Sequence, residues 1–208
     1  SQLGKVLRLN RDGSVPADNP FADGTEGDPY VWTLGHRNPQ GLALEPATQR
    51  VWLHEHGPRG GDEFNRLLPG RNYGWPLVTH GLDYSGAYVT PFEVLPDLQP
   101  PVRQWTPSIG PSGLAFYDGD DFPDWQGDAF VGTLVDRDVV RLILADGIVV
   151  GHELLFGELG ERIRDVRAGP GGDLWLLTDS EEGALVRVRP VSEPDAARSR
   201  PRPPEIPP

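Results

Sequence analysis

The sequence predicts an all-β protein, and within that class a β-propeller, with about four blades in this chain. Three observations lead there. Helical periodicity is scarce, and the apolar residues fall into short runs separated by Gly, Pro, Asp and Asn clusters. Gly (26) and Pro (23) make up nearly a quarter of the 208 residues, roughly twice ordinary usage. Yet 6 Trp, 5 Tyr and 7 Phe accompany them, and disordered chains are poor in aromatics. The third observation is internal repetition.

The strand candidates, in order, are Val6–Leu9, Val51–Leu53, Ala129–Val131, Val139–Leu144 and Leu174–Leu177. One recurring unit is an apolar strand, a turn and a second apolar strand. Gly41-Leu42-Ala43-Leu44 leads to Val51-Trp52-Leu53, and Gly113-Leu114-Ala115-Phe116 leads to Gly127-Asp128-Ala129-Phe130-Val131. Asp165-Val166-Arg167-Ala168 leads likewise to Gly172-Asp173-Leu174-Trp175-Leu176. A second unit is a short strand with a central Arg: Val6-Leu7-Arg8-Leu9, Val139-Val140-Arg141-Leu142 and Leu185-Val186-Arg187-Val188. Hairpins repeated in this way fit propeller blades better than a β-sandwich, the competing architecture. Residues 76–104, with Pro76, Pro91, Pro96, Pro100 and Pro101, read as a long inserted loop. Residues 1–190 read as one partial propeller, and 191–208, with six prolines and no aromatics, as a disordered tail. A strand motif opens the chain without a preceding partner, which points to further blades upstream.

Net charge is −12, and no basic stripe is present to displace the counterions of a nucleic acid. No apolar run approaches 18 residues, so no membrane-inserted helix is expected. There is no Cys, which removes disulfides, thiol nucleophiles and iron–sulfur sites. The acidic balance suits Ca²⁺, which takes oxygen ligands.

The densest polar segment is Glu55-His56-Gly57-Pro58-Arg59-Gly60-Gly61-Asp62-Glu63. Its glycines and proline make a tight turn whose carbonyls can face a cation, and Glu55, Asp62 and Glu63 add carboxylates. The histidines lack zinc-ligand spacing. A charged hairpin turn closed by Arg59–Asp62 contacts is the plainer alternative. In Gly35-His36-Arg37-Asn38-Pro39-Gln40-Gly41, a guanidinium and two amides can hold a flat, oxygen-rich ligand, or simply make a polar turn. Arg162 and Arg164 fall on one face of a strand and need an anion between them, either a ligand carboxylate or an acidic side chain of the chain itself. Asn72-Tyr73-Gly74-Trp75-Pro76 is an aromatic turn with packing as its simplest role.

Taken in order, these segments resemble the soluble PQQ-dependent sugar dehydrogenases, the aldose sugar dehydrogenase branch of the glucose/sorbosone dehydrogenase family. The resemblance runs from about Gly4 to Arg189 and includes Gly4-Lys5-Val6-Leu7-Arg8-Leu9-Asn10, Trp105-Thr106-Pro107-Ser108, Pro111-Ser112-Gly113 and Thr178-Asp179. It implies a six-bladed propeller that binds PQQ and Ca²⁺. The implied reaction oxidises the C1 hydroxyl of aldoses to lactones by hydride transfer to PQQ, with Ca²⁺ as Lewis acid and an external electron acceptor. It further implies a periplasmic or secreted location.

Carried over position by position, the resemblance makes Arg37, Asn38, His56, Ser108, Arg162 and Arg164 the PQQ contacts, with Arg37 stabilising charge on the quinone oxygen. It makes the carbonyls of Gly57 and Pro58 the ligands of a PQQ-linked Ca²⁺. Glu63, by its side chain, and Tyr73, by its backbone oxygen, are implied ligands of a structural Ca²⁺. Two departures accompany it. The family's catalytic His lies upstream of the strand that begins at Gly4, and none of His36, His54, His56, His80 and His152 matches it, so this chain alone is expected to be inactive. A Lys that pairs with PQQ is replaced by Val135, with Arg137 as a substitute within reach. A Ca²⁺-dependent propeller lactonase and a non-catalytic carbohydrate-binding propeller are the alternatives.

Overall fold

A computed structural model describes residues 1–191; the tail read as disordered lies outside the described residues from 192 onward. Among the described residues, thirteen strands form four antiparallel sheets, ordered along the chain. The first pairs β1 (Lys5–Leu7) with β2 (Val31–Leu34). The second is a meander of β3 (Pro39–Leu44), β4 (Val51–Glu55), β5 (Asp62–Arg66) and β6 (Arg103–Trp105). The third runs through β7 (Pro111–Phe116), β8 (Ala129–Thr133), β9 (Val139–Ala145) and β10 (Ile148–Leu155). The fourth contains β11 (Ile163–Ala168), β12 (Leu174–Thr178) and β13 (Leu185–Val188). These are consecutive blades of a β-propeller, and the second, third and fourth are wound strand by strand from the inside outward.

The inner strands β3, β7 and β11 lie against one another, and glycine makes the approach possible. A Cβ at Gly41 would stand 2.7 Å from Cβ of Leu114, and one at Gly113 would stand 2.5 Å from the Val166 nitrogen. Between the blades lie dry cores. Trp52, Phe64 and Trp105 of the second sheet meet Leu114, Phe116, Val131 and Leu142 of the third. On the other face of the third sheet, Ala115, Tyr117, Phe130 and Val139 meet Ile163, Val166, Leu174 and Leu176 of the fourth. Successive side chains of a strand point to opposite faces. Because both faces are covered by neighbouring blades, β7, β8 and the start of β9 are apolar at nearly every position instead of alternating. His54 crosses the first of these interfaces, its Nε2–H donating to the Gly113 carbonyl at 3.3 Å. Burial pushes its pKa down to about 4, so the ring is neutral.

The repeated Arg strands have a common cause. Arg141 on β9 pairs with Asp128, the residue before β8, at 2.6 Å, and its guanidinium lies 6.0 Å from the Trp125 ring centre. Arg187 on β13 pairs with Asp173, the residue before β12, and lies 5.5 Å from Trp175. Arg8, just after β1, pairs with Asp18 at 3.0 Å and lies 4.7 Å from Trp32. Each Arg is thus clamped between a carboxylate and an indole.

The strand candidates are all present, though β1 stops at Leu7 instead of Leu9. Four strands escaped the sequence reading: β2, β5, β6 and β10. Segment 62–66 (DEFNR) looks too polar for a buried strand, yet Asp62 and Asn65 are fully buried there, Asp62 with both carboxylate oxygens hydrogen-bonded and Asn65 donating from Nδ2 to Glu63. The long loop is real but ends at residue 102, since β6 begins at Arg103.

Candidate active site

The predicted residues cluster where the inner strands begin. Arg37 and Asn38 immediately precede β3, Ser108 lies three residues before β7, and Arg162 precedes β11. Hydrogen bonds tie these starts together. The His56 amide donates to the Asn38 carbonyl at 3.0 Å. His56 Nε2–H donates to the Pro111 carbonyl at 2.7 Å, and Ser112 Oγ donates to the Ile163 carbonyl at 2.6 Å. One end of three adjacent blades therefore carries all of these residues. Alongside the inner strands is a cavity of about 330 Å³ lined by Gln40, Ser112, Arg164 and Arg167 among others.

Arg37 is aimed by its surroundings. Its Nη1 donates to the carbonyls of His56 (3.1 Å) and Gly57 (2.8 Å), and its Nη2 donates to the Tyr84 hydroxyl at 3.3 Å. The guanidinium lies over the rings of Trp75 (5.3 Å) and Tyr84 (5.9 Å). Trp75 comes from the aromatic turn and Tyr84 from the long loop, so both segments serve the site; Tyr84 carried no signal in the sequence. Behind Arg37, the buried Glu55 binds the Arg37 amide (2.6 Å), the Asn38 amide (3.2 Å) and His36 Nδ1 (2.8 Å).

The Gly57 turn is compact. A Cβ at Gly57 would sit 2.0 Å from the Gly60 oxygen, and Gly61 has φ +73 with a virtual Cβ 2.6 Å from the Gly81 nitrogen. Asp62 organises it: one carboxylate oxygen accepts the Gly57 amide (3.0 Å), and the other accepts Ser108 Oγ (2.6 Å) and the Ile109 and Gly110 amides (3.0 and 3.1 Å). With four donors around it, Asp62 is a structural anchor, as is Glu55; neither carboxylate is free for a metal. Arg59 does not close the turn onto Asp62 but pairs through its backbone with Leu82. Ser108 is held at the turn through Asp62.

Glu63 is left as the uncommitted carboxylate. Burial, reinforced by the charge of Glu55, pushes its pKa up to about 7. Asn65 Nδ2 donates to it at 3.0 Å, while the buried Asn65 Oδ1 has no hydrogen-bond partner. Glu63 and Tyr73 border a cavity of about 10 Å³, room for one water or ion. Among the described residues, no cluster of three or more His, Asp or Glu is arranged around a metal. A cation here would rest on the Glu63 carboxylate and backbone carbonyls, oxygen donors of the kind Ca²⁺ takes.

A prediction follows from Glu63. Its folded pKa lies above the ordinary 4.5, so the folded state holds a proton that the unfolded chain releases between pH 4.5 and about 7. Metal-free stability should fall across that window, by on the order of 2–3 kcal/mol. Ca²⁺ should restore it, so the rise in Tm on adding Ca²⁺ is larger at pH 8 than at pH 5. Glu63→Gln should raise the metal-free Tm at pH 8 and abolish the Ca²⁺ response. Equal shifts at both pH values in thermal scans would contradict this.

Arg162 Nε and Arg164 Nη2 both donate to a single oxygen, Asp179 Oδ2, at 2.9 Å each. The anion between the two guanidiniums is thus supplied by the chain, the plainer of the two readings. One carboxylate does not balance two guanidiniums, and both arginine side chains remain 44% exposed. The surplus positive charge and free N–H donors fit an additional ligand carboxylate. Val135 is exposed, and Arg137 donates to the Gly160 carbonyl at 3.2 Å.

Known proteins resemble the chain over most of its length. A family model described as Glucose / Sorbosone dehydrogenase matches residues 1–187. The chain is 44% identical over 189 residues to aldose sugar dehydrogenase YliI of Escherichia coli, covering 90% of this chain and 51% of that protein. It resembles a crystal structure of glucose dehydrogenase with 50% identity and a TM-score of 0.87, covering 90% of this chain and 55% of the other. It also resembles the PQQ-bound form of aldose sugar dehydrogenase from Streptomyces coelicolor, at 28% identity and a TM-score of 0.69, covering 89% and 52%. The chain spans about half the length of the curated relatives it matches.

Proposed function

We propose that this chain, which belongs to the glucose/sorbosone dehydrogenase family, forms the PQQ- and Ca²⁺-binding surface of a quinoprotein. Its substrates are aldoses, oxidised at the C1 hydroxyl to lactones, and the electrons pass to an external acceptor in the periplasm or outside the cell. The observation that carries the reading is the arginine pair on one oxygen of Asp179, at the same end of the blades as Arg37. A scaffold has no use for a surplus of exposed guanidinium charge there, and a hydrolase would not require it.

When bound, PQQ with Ca²⁺ supplies the electrophile that accepts hydride from the sugar. The chain's own residues bind and orient. Arg162 and Arg164 offer donors to carboxylates. The carbonyls of Gly57 and Pro58 would hold the cation linked to PQQ, and the Glu63 carboxylate with the Tyr73 backbone oxygen would hold a structural one. Arg37, fixed between Trp75 and Tyr84, places a permanent positive charge where negative charge develops, with no reorganisation at the moment of reaction. Asn38, His56 and Ser108 complete the contact surface.

By the family resemblance, none of the chain's five histidines is the residue that removes the sugar proton. His36, His54 and His56 are hydrogen-bonded within the fold. His80 sits 3.6 Å from Glu93, and His152 lies on the outermost strand of its blade. We assign proton removal to a residue outside the sequence given.

Titrating the chain with PQQ, with and without Ca²⁺, tests the proposal through tryptophan fluorescence. Saturable binding that needs Ca²⁺ is expected, with no glucose oxidation in the presence of an artificial acceptor. Absence of PQQ binding in excess Ca²⁺, or lactone hydrolysis with Ca²⁺ alone, would overturn it; the second result would favour the lactonase.

A further inference from the structure

We infer that Glu55 is a positioning residue that sets the backbone of the Arg37–Asn38 turn; its link to the cofactor rests on the functional reading above. Glu55 closes β4 and is 4% exposed. One carboxylate oxygen accepts the amides of Arg37 (2.6 Å) and Asn38 (3.2 Å). The other accepts His36 Nδ1–H (2.8 Å) and, at 3.4 Å, Asn65 Nδ2.

The arrangement points to orientation as well as stability. Arg37 and Asn38 stand between β2 and β3, where no strand partner takes their amides, so Glu55 is what fixes them. The next residue completes the grip, since the His56 amide donates to the Asn38 carbonyl at 3.0 Å and the His56 carbonyl accepts from Arg37 Nη1. The turn is therefore held from both its N–H and C=O sides by the end of one strand. His36 braces the carboxylate in turn. Thr33 Oγ1 lies 2.8 Å from its other ring nitrogen, and its ring stacks on Tyr73 at 4.8 Å. A carboxylate accepting charge-neutral backbone donors in a buried site gives a strong, directional bond. Losing it leaves two amides unpaired and the Arg37 side chain misplaced, and small misplacements at a binding site are costly.

The test compares Glu55→Ala and Glu55→Gln with Arg141→Ala, a destabilised control in another blade. Two quantities are measured: hydrogen exchange at the Arg37 and Asn38 amides without cofactor, and the PQQ dissociation constant in saturating Ca²⁺. In Glu55→Ala, exchange at both amides should accelerate at least tenfold and PQQ binding should weaken by roughly tenfold or more. Glu55→Gln should keep both near wild type, because its amide oxygen can take the two backbone donors while its NH₂ donates to His36 Nδ1, the imidazole changing tautomer so that Nε2–H points at Thr33 Oγ1. The control should lose stability without either local effect. Unchanged exchange at the two amides in Glu55→Ala, or equal acceleration in the control, would overturn the inference. If the wild-type chain binds no PQQ, the functional reading fails and the exchange data alone decide the role of Glu55. Should Glu55→Ala not fold, Glu55→Asp, with its shortened reach, supplies the same comparison.

Discussion

Replacing Arg141 by Ala is expected to cost about 3–5 kcal/mol of folding stability, which in a chain of this size lowers Tm by roughly 6–20 °C. The side chains of Arg141 and Asp128 are only 10% and 6% exposed, so removing the guanidinium strands a desolvated carboxylate. Arg141 also binds Glu153 at 2.8 Å and packs against Trp125, so charge, hydrogen bonds and contact are lost together. Asp128→Asn should cost less, because an amide oxygen still accepts the Leu144 amide that Asp128 holds at 3.1 Å. Chemical denaturation of both variants checks the order. A loss below about 1 kcal/mol for Arg141→Ala would mean that the pair is solvated in solution and worth no more than a surface ion pair.

Replacing Arg162 and Arg164 together by Gln should weaken PQQ binding by about a hundredfold or more, since two charge-assisted sites are removed at once. Stability should barely change, because both arginines are exposed and the partner they share can return to water. The variant has an independent signature. Hydrogen bonds from Arg162 and Arg164 hold the Asp179 carboxyl below the ordinary carboxylate range. Without them its pKa should return toward that range, which carbon NMR of the carboxyl can follow. Unaltered PQQ affinity in a variant whose Asp179 has relaxed would remove the main support for a quinone cofactor.

The repeats made the architecture legible. Gly41, Gly113 and their neighbours marked the inner strands because only glycine tolerates the closeness of adjacent blades. Arg8, Arg141 and Arg187 marked the repeated Asp–Arg–Trp clamps. Strand β5 was hidden because its polar residues look like a turn until their partners are known. The partners of Asp62 are Gly57, five residues away, and Ser108, Ile109 and Gly110, more than forty residues along the chain. Tyr84, within the long loop, reaches Arg37 across 47 residues and left no local pattern to read.

The same division holds for the site. Short-range chemistry specified where a tight carbonyl-rich turn, a lone guanidinium and an arginine pair would occur, because residue type and spacing alone limit what such segments can do. Which carboxylates are committed and which is available was a matter of tertiary structure. Glu55, Asp62 and Glu63 sit within nine residues and look interchangeable in the sequence. Folding surrounds the first two with donors from distant segments and leaves the third desolvated beside an unpartnered amide oxygen. The strand-by-strand character was written locally in apolar runs and glycines. Which charges are committed to structure was decided only by long-range hydrogen bonding, since burial without a partner costs far more than burial with one.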